Sequence, residues 1–377
     1  MQSVRIVSRL ARPALFSLLA LVAPGVAGAQ STEEQIERLA ESLAASAERI
    51  AAKVERHATH FADRLEREWS RRERAGSRRD GDDRLRGRRV LSDGVQAPSL
   101  DTTVAFSPDG TIDLTNVAGD IIVTGWDRRE VQIKARSDRG DLEYAISESR
   151  ITIEERGDNW RRSRRDRRDR SDDNEDTRFE LSVPRGVRVI AHSTSGDVTL
   201  RGTGGEVEAN TMGGDVEVED AAQRIEIGTL SGDVTARRLK GNVEANSVSG
   251  SVELDDVDGD VRIESTSGDL AITNARAREI DASTTSGEIV FSGTITNDGR
   301  YEFHSHSGNI ELTVPSATNA RFSLETYSGE MGSDFPITLE PGRRAGSRGR
   351  RFEFTVGNAG ARVVAETFSG NLDIRKR

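Results

Sequence analysis

Carboxylates recur at a fixed interval through the middle of this 377-residue chain. Asp197, Asp215 and Asp233 stand 18 apart, and after Ser251 the column continues with Asp269 and Glu288. Each follows a glycine, as in Ser195-Gly196-Asp197-Val198, Ser231-Gly232-Asp233-Val234 and Ser267-Gly268-Asp269-Leu270. Carboxylates stacked about 5 Å apart repel, and a bound cation would offset that cost, which makes Asp197, Asp215, Asp233 and Asp269 a candidate cation ladder. The alternative is that each aspartate caps its own turn by accepting from nearby backbone N–H groups. The calcium-binding pattern Gly-Gly-x-Gly-x-Asp is absent, and Gly213-Gly214-Asp215 is only a partial echo of it. A further column, Glu208, Glu226 and Glu244, has the parity of outward strand positions. Paired carboxylates at such spacing would suit glycoside hydrolysis, yet a column repeats, whereas an active site requires a local exception.

Two other columns flank the glycines. Three residues before each stands a hydroxyl, at Ser193, Thr211, Thr229, Ser247, Ser265, Thr284, Ser305, Thr326 and Thr367, with the parity of the core; these form a hydrogen-bonding ladder along the corner. Two residues before each, with outward parity, stand Thr194, Met212, Leu230, Val248, Thr266, Thr285, His306, Tyr327 and Phe368. A solvent-facing row that repeatedly carries apolar or aromatic groups marks a contact surface, so Met212, Leu230, Val248, His306, Tyr327 and Phe368 are the candidate ligand or partner stripe. The N-terminal segment or an insert would cover the same row equally well. His57 with His60, and His304 with His306, are paired on common faces but lack an evident third ligand, so no metal site and no cofactor is expected.

These columns must be positioned by a repeat. Gly196, Gly214, Gly232, Gly250, Gly268, Gly287 and Gly308 are spaced by 18, loosening to 19 and 21, with weaker copies half-way at Gly205, Gly241 and Gly259. Between them apolar residues alternate: Val198/Leu200, Val207/Ala209, Val216/Val218, Ile225/Ile227, Val234/Ala236 and onward to Ile289/Phe291. Period two places these side chains on one face, and a fixed short period makes a solenoid. The expected fold is all-β, a parallel β-solenoid with coils of about 18 residues, each made of two strand-and-turn halves of about nine. Glycine serves the sharp turns because it alone takes positive φ without steric cost.

The rest of the chain differs. Residues 1–29 read as a secretory signal: Arg5, Arg9 and Arg12, a short apolar run from Pro13 to Val22, then Ala27-Gly28-Ala29. No later segment is apolar enough to span a bilayer as a helix. Residues 30–75 carry Ile36, Leu39, Leu43, Ile50, Val54, Phe61, Leu65 and Trp69 at helical spacing, which predicts one long amphipathic helix. Its apolar stripe needs a cover: the end of the solenoid, a membrane surface, or a coiled-coil partner, which self-association would supply. Residues 76–98 follow as an Arg-rich flexible linker, and the solenoid domain is expected over 99–377. Charged inserts at 160–178, with eight arginines and six acids, and at 341–351, with five arginines, read as disordered excursions. Aromatics make up 5% of the chain, against 36 glycines, which suits short strands and tight turns. With 0 cysteines, disulfides, thiolate metal sites and lipid-modified cysteine are excluded.

Ser107-Pro108-Asp109-Gly110-Thr111, Asn116-Val117-Ala118-Gly119-Asp120-Ile121 and Gly125-Trp126-Asp127, followed by the repeated Ser-Gly-Asp-Val, resemble the bacterial putative-adhesin family of domain-of-unknown-function proteins. Phe291-Ser292-Gly293 and Ser305-His306-Ser307-Gly308-Asn309-Ile310 extend the resemblance, which covers roughly residues 99–377. It implies an exported β-strand-repeat domain with adhesion as a provisional role, and it brings no catalytic or binding residues. The functional expectation is therefore a non-enzymatic adhesion, binding or scaffold module that is periplasmic, cell-surface or secreted, with a protein or glycan of the envelope as partner. From 187 to 314 the chain holds 23 acids against 10 basic residues, which argues against nucleic acid. Two other readings stand beside it: a glycosidase or lyase on a solenoid scaffold, and an envelope sensor that binds a partner through its N-terminal helix.

Overall fold

The computed structural model describes residues 90–97, 99–137, 141–156, 177–336 and 350–377. The signal sequence, the segment expected as a helix, and nearly all of both charged inserts lie outside these residues. What is described is all-β, and no helix occurs among the described residues.

The strands in chain order are β1 (Val90–Ala97), β2 (Ser99–Ala105), β3 (Thr111–Asn116), β4 (Asp120–Trp126), β5 (Glu130–Arg136), β6 (Asp141–Ser147), β7 (Arg150–Arg156) and β8 (Arg178–Pro184). The regular repeat follows as β9 (Arg188–Ser195), β10 (Val198–Arg201), β11 (Val207–Gly213), β12 (Val216–Glu219), β13 (Ala222–Ser231), β14 (Val234–Ser249), β15 (Val252–Asp258), β16 (Val261–Ser267), β17 (Leu270–Ser286) and β18 (Ile289–Ser307). The chain closes with β19 (Ile310–Val314), β20 (Ala320–Ser328), β21 (Met331–Ser333), β22 (Arg350–Val356), β23 (Ala361–Ser369) and β24 (Leu372–Lys376).

Two ladders of parallel strands meet at the turn glycines. The post-glycine ladder stacks Val198 on Val216, Val234, Val252, Leu270, Ile289 and Ile310. The pre-glycine ladder stacks Val207 on Ile225, Val243, Val261, Ile280 and Tyr301. Each residue thus lies over its own counterpart one coil away, as the 18-residue period requires. The 19-residue spacing adds its extra residue within β17, between Arg276 opposite Asp258 and Ile280 opposite Val261, and the 21-residue spacing is absorbed by register shifts between β17 and β18, at Thr273/Ala275 and Ala277/Glu279. The lengthened turn brings in Tyr301, which is fully buried and donates its hydroxyl to the Ala277 carbonyl at 2.6 Å. β14, β17 and β18 run through the second corner without a break and join the ladders into one continuous sheet.

The core is one apolar cluster running the length of the stack. Its middle is aliphatic, with Val234, Ala236, Leu239, Val243 and Ala245 all buried within one coil. Full burial of each valine or leucine contributes roughly 1.5–3 kcal/mol. Aromatic packing holds the C-terminal part, where Phe291 lies 5.3 Å from Phe303 and Phe322 lies 4.9 Å from Phe354. Phe106 and Phe179 are buried near the other end, so large core residues serve both ends rather than the late coils alone.

At both ends the stacking order departs from the chain order. The coil β3–β4 lies between β9–β10 on one side and β7–β8 on the other, although β7 and β8 come between them in sequence. Near the other end, β23–β24 is inserted between β18–β19 and β20–β21, so the chain passes over one place and later returns to fill it. Outside these coils the neighbours run antiparallel: β5 and then β2 in one ladder, β6 and then β1 in the other, and β22 against β20. A simple progression of coils along the chain therefore does not describe the ends. β1 also falls within the stretch read from the sequence as linker.

Candidate functional site

The columns around the turn glycine are the repeated feature that the sequence offered for function, and each resolves into a physical role. Gly196, Gly214, Gly232 and Gly250 take φ of 144°, 157°, 147° and 146°. This positive, extended region is open to glycine and little else. A second constraint acts on the same atoms: a Cβ built on Gly232 would overlap the carbonyl oxygen of Gly214, and one on Gly214 would overlap that of Gly196. The turn thus needs glycine as much for the close approach of the preceding coil as for its dihedral.

The hydroxyl column completes that contact. Thr211 donates to the Gly196 carbonyl at 3.2 Å, Thr229 to Gly214 at 3.2 Å, Thr284 to Gly268 at 3.3 Å and Ser305 to Gly287 at 3.2 Å. These hydroxyls bond to the glycine of the adjacent coil rather than to one another, whereas those of Ser193, Ser247 and Ser265 in the same column are buried without a hydrogen bond. Asn116 holds the same place in the first coil, where its amide donates to the Gly119 carbonyl at 2.6 Å. Beyond it, Glu155 closes the end of the column. Its buried carboxylate accepts from the backbone N–H of Val117 at 2.8 Å, from Ser137 Oγ at 2.6 Å and from Thr177 Oγ1 at 3.2 Å.

The aspartates do not cap their own turns. Asp197 Oδ1 accepts the backbone N–H of Asp215 at 2.9 Å, Asp215 accepts from Asp233 at 2.8 Å, and Asp233 accepts from Ser251 at 2.8 Å. Asp269 does the same for Glu288 at 2.8 Å, and Asn309 for Asn371 at 2.9 Å. Each side chain reaches forward to the next coil, and an amide oxygen serves as well as a carboxylate. Among the described residues no group of three or more His, Asp or Glu is placed to hold a metal ion.

The outward row two residues before each glycine is continuous. Val117 heads it, which the sequence row began too late to include, and Thr194, Met212, Leu230, Val248, Thr266 and Thr285 follow. At its C-terminal end three rings stack: His306 lies 5.1 Å from Phe368 with an interplanar angle of 10°, and Phe368 lies 5.0 Å from Tyr327 with an angle of 8°. The order His306, Phe368, Tyr327 follows from the inserted last coil and differs from the order in sequence. Met212 and Leu230 keep 41% and 38% of their surface open, which is unusual for large apolar side chains.

Beside this row the same sheet face turns polar. Glu208, Glu226 and Glu244 are in register and laced by arginines: Arg188 lies 3.6 Å from Glu208, and Arg224 lies 3.4 Å from Glu226. Arg262 bridges Glu264 at 3.4 Å and Asp281 at 3.1 Å. His304 Nδ1 stands 3.4 Å from Glu366 Oε2, and this contact holds the Glu366 carboxyl below the usual glutamate value. His304 and His306 therefore have separate occupations, one with a carboxylate and one with a ring. His57 and His60 lie outside the described residues.

The second corner is built differently. Asp220, Arg238, Asp256 and Asn274 form a column of left-handed residues with φ between 53° and 56°. Asp and Asn tolerate this conformation; Arg238 is the departure. Its guanidinium donates to Asp220 at 2.7 Å and 3.0 Å and also meets Glu219, which lowers the Asp220 pKa.

No curated protein matches the chain. Among solved structures, a putative cell adhesion protein from Clostridium sporogenes is 10% identical, with 74% of this chain and 100% of that chain covered and a TM-score of 0.20. A putative adhesin from Bacteroides fragilis is 12% identical, with 73% of this chain and 96% of that chain covered and a TM-score of 0.35. At those scores neither likeness carries an argument about this molecule. The Toastrack DUF4097 family matches residues 173–375, more than half of the sequence, and spans the glycine-turn repeat together with its inserted last coil. The chain belongs to the Toastrack DUF4097 family.

Proposed function

We propose that this protein is an exported, non-enzymatic binding module of the cell envelope, and that its contact surface is the apolar outward row of the pre-glycine ladder. The observation that carries the reading is the row itself: Met212 and Leu230 stand open, and His306, Phe368 and Tyr327 form a stacked set of rings on the same face. Apolar side chains gathered at two places along one outward row, Met212 to Val248 and His306 to Tyr327, favour a partner. The other columns are occupied in building the coil, with glycines, threonine hydroxyls and aspartates bonded from one turn to the next. Support for export comes from residues 1–29, with their basic start, apolar run and small-residue site. The partner is a protein or glycan of the envelope, and the location is periplasmic, cell-surface or secreted.

The test is capture of the purified chain by envelope fractions, comparing the native protein with the triple variant Met212→Ser, Leu230→Ser, Tyr327→Ser. Binding is expected to fall at least ~10-fold while the thermal transition stays sharp, because three apolar contacts of about 1 kcal/mol or more each are removed from an exposed row. Unchanged capture would overturn the reading.

A further inference from the structure

On the outward face of the pre-glycine ladder, arginines are answered by carboxylates. Side chains at i and i+2 share a face of the sheet, and four strands use that spacing. Arg224 lies 3.4 Å from Glu226, Arg262 3.4 Å from Glu264, Arg300 2.8 Å from Glu302 and Arg351 2.9 Å from Glu353. Where the strand itself lacks the glutamate, as at Arg188, the next coil supplies Glu208 at 3.6 Å. Two arginines of this face have neither. Two residues beyond Arg362 on β23 stands Val364, and two residues beyond Arg321 on β20 stands Ser323. Both arginines are exposed, and neither forms an ion pair among the described residues.

These two arginines are neighbours. The register sets Arg362 opposite Arg300 on one side and opposite Arg321 on the other, at strand steps of about 4.8 Å. Nowhere else among the described residues do three arginines stand in register on successive strands, and the inserted coil is what brings them together. Like charges directly opposite one another destabilise a sheet, and a guanidinium cannot shed its proton to relieve the cost. The nearby acids are already engaged. Glu366 lies 3.4 Å from His304, and Arg351 lies 3.5 Å from Glu325 and 2.9 Å from Glu353. What else borders the pair can donate: Ser323, and Thr355 opposite Arg321 on β22.

We infer that Arg321 and Arg362 hold a phosphate group, with Ser323 and Thr355 as hydroxyl donors beside it. A carboxylate has two oxygens and is satisfied by a single guanidinium fork. Two forks and two hydroxyls suit the three or more oxygens of a phosphate, which also offsets the repulsion between the stacked charges. From residue 315 onward the chain carries ten basic residues against seven acids, so the acidic excess of 187–314 does not extend to this end. The group comes either from a soluble phosphate or from a phospholipid headgroup. The site lies six strand residues from the ring row, about 20 Å, and stands whether or not that row is a contact surface.

The experiment uses the full chain in two arms. Calorimetric titration with inorganic phosphate, at ionic strength held constant with chloride, reads a soluble source. Cosedimentation with phosphatidylglycerol vesicles, against phosphatidylcholine vesicles, reads a headgroup. Binding is expected in at least one arm, and the arm that shows it names the source. Two variants then locate it. Arg321→Gln with Arg362→Gln removes both charges, and Ser323→Glu restores the carboxylate that Arg300 and Arg351 possess. Each should weaken binding at least ~10-fold. In chloride alone the double glutamine variant should melt no lower than the native chain, because a repulsion has been removed. Binding in neither arm, or binding that survives both variants, would sink the inference. So would an equal loss in Arg129→Gln with Arg237→Gln, which takes the same charge from exposed arginines elsewhere. None of these variants touches Met212, Leu230 or Tyr327, so failure here and failure of the contact row are read separately.

Discussion

At the residue scale, the turn depends on atoms that are absent. Gly232→Ala would place a methyl group against the Gly214 carbonyl in a backbone region hostile to L-residues. A loss of at least ~3 kcal/mol is expected, read as a lowered thermal midpoint or failure to fold, and a midpoint within a degree or two of native would contradict the contact. The forward reach of the aspartates gives a finer test. Asp233→Asn keeps the acceptor for the Ser251 N–H and should stay within about 0.5 kcal/mol of native, whereas Asp233→Ala should lose about 1 kcal/mol. A cation ladder demands the reverse: asparagine as harmful as alanine, and a native midpoint that rises with added calcium. Glu366 supplies the pH dependence. His304 lowers its pKa from the usual 4.5, so its contribution is present above that value and fades as pH falls through the lower folded value. The native protein should exceed Glu366→Gln in stability at neutral pH by less than ~1 kcal/mol, given the solvent exposure of the pair. That gap should close in acid unfolding curves below pH 4.5; a gap that persists there would assign the effect to packing instead.

At the element scale, legibility in the sequence divides along a physical line. Parallel in-register stacking sets each residue on its own counterpart, so the glycine, hydroxyl and aspartate columns repeat in sequence wherever they repeat in space. Alternation from Val198 to Phe291 therefore indicated the core correctly. The direction of the aspartate bond was not legible, because a side chain that caps its own turn and one that caps the next turn demand the same letter. The order of the terminal coils was hidden for a related reason. β20 and β23 carry the same turn pattern, in Ser328-Gly329 and Ser369-Gly370, and nothing local in either tells which lies beside β18. For this reason the contact row was readable as a list of residues but not as a sequence of neighbours, and the placement of Phe368 between His306 and Tyr327 emerged only from the fold. Residues spent on closure, such as Glu155, were illegible because they occur once and answer to partners far along the chain.

At the scale of the whole molecule, stability is passed from coil to coil, as in a one-dimensional array. The inserted coil is the exception. β23–β24 has neighbours on both sides in both ladders, so it holds β20–β22 to the rest. A chain ending at residue 360 should keep its coils through Val314 but lose protection over 318–336 and 350–356, as limited proteolysis followed by mass spectrometry would read. Unchanged protection over those two stretches would contradict the stacking order. The glycine column carries a different consequence, for how such a chain can change length. Each glycine answers to the carbonyl of the glycine in the adjacent coil, so the stack accepts additions in whole turns, or as a few residues taken up at the second corner as between β17 and β18. One extra residue in a strand reverses its parity and turns the core outward, whereas a spliced copy of 18 residues meets the same surface above and below. The molecule is thus a scale with a fixed graduation, about 4.8 Å for each coil added or removed, and its reach can be adjusted by counting.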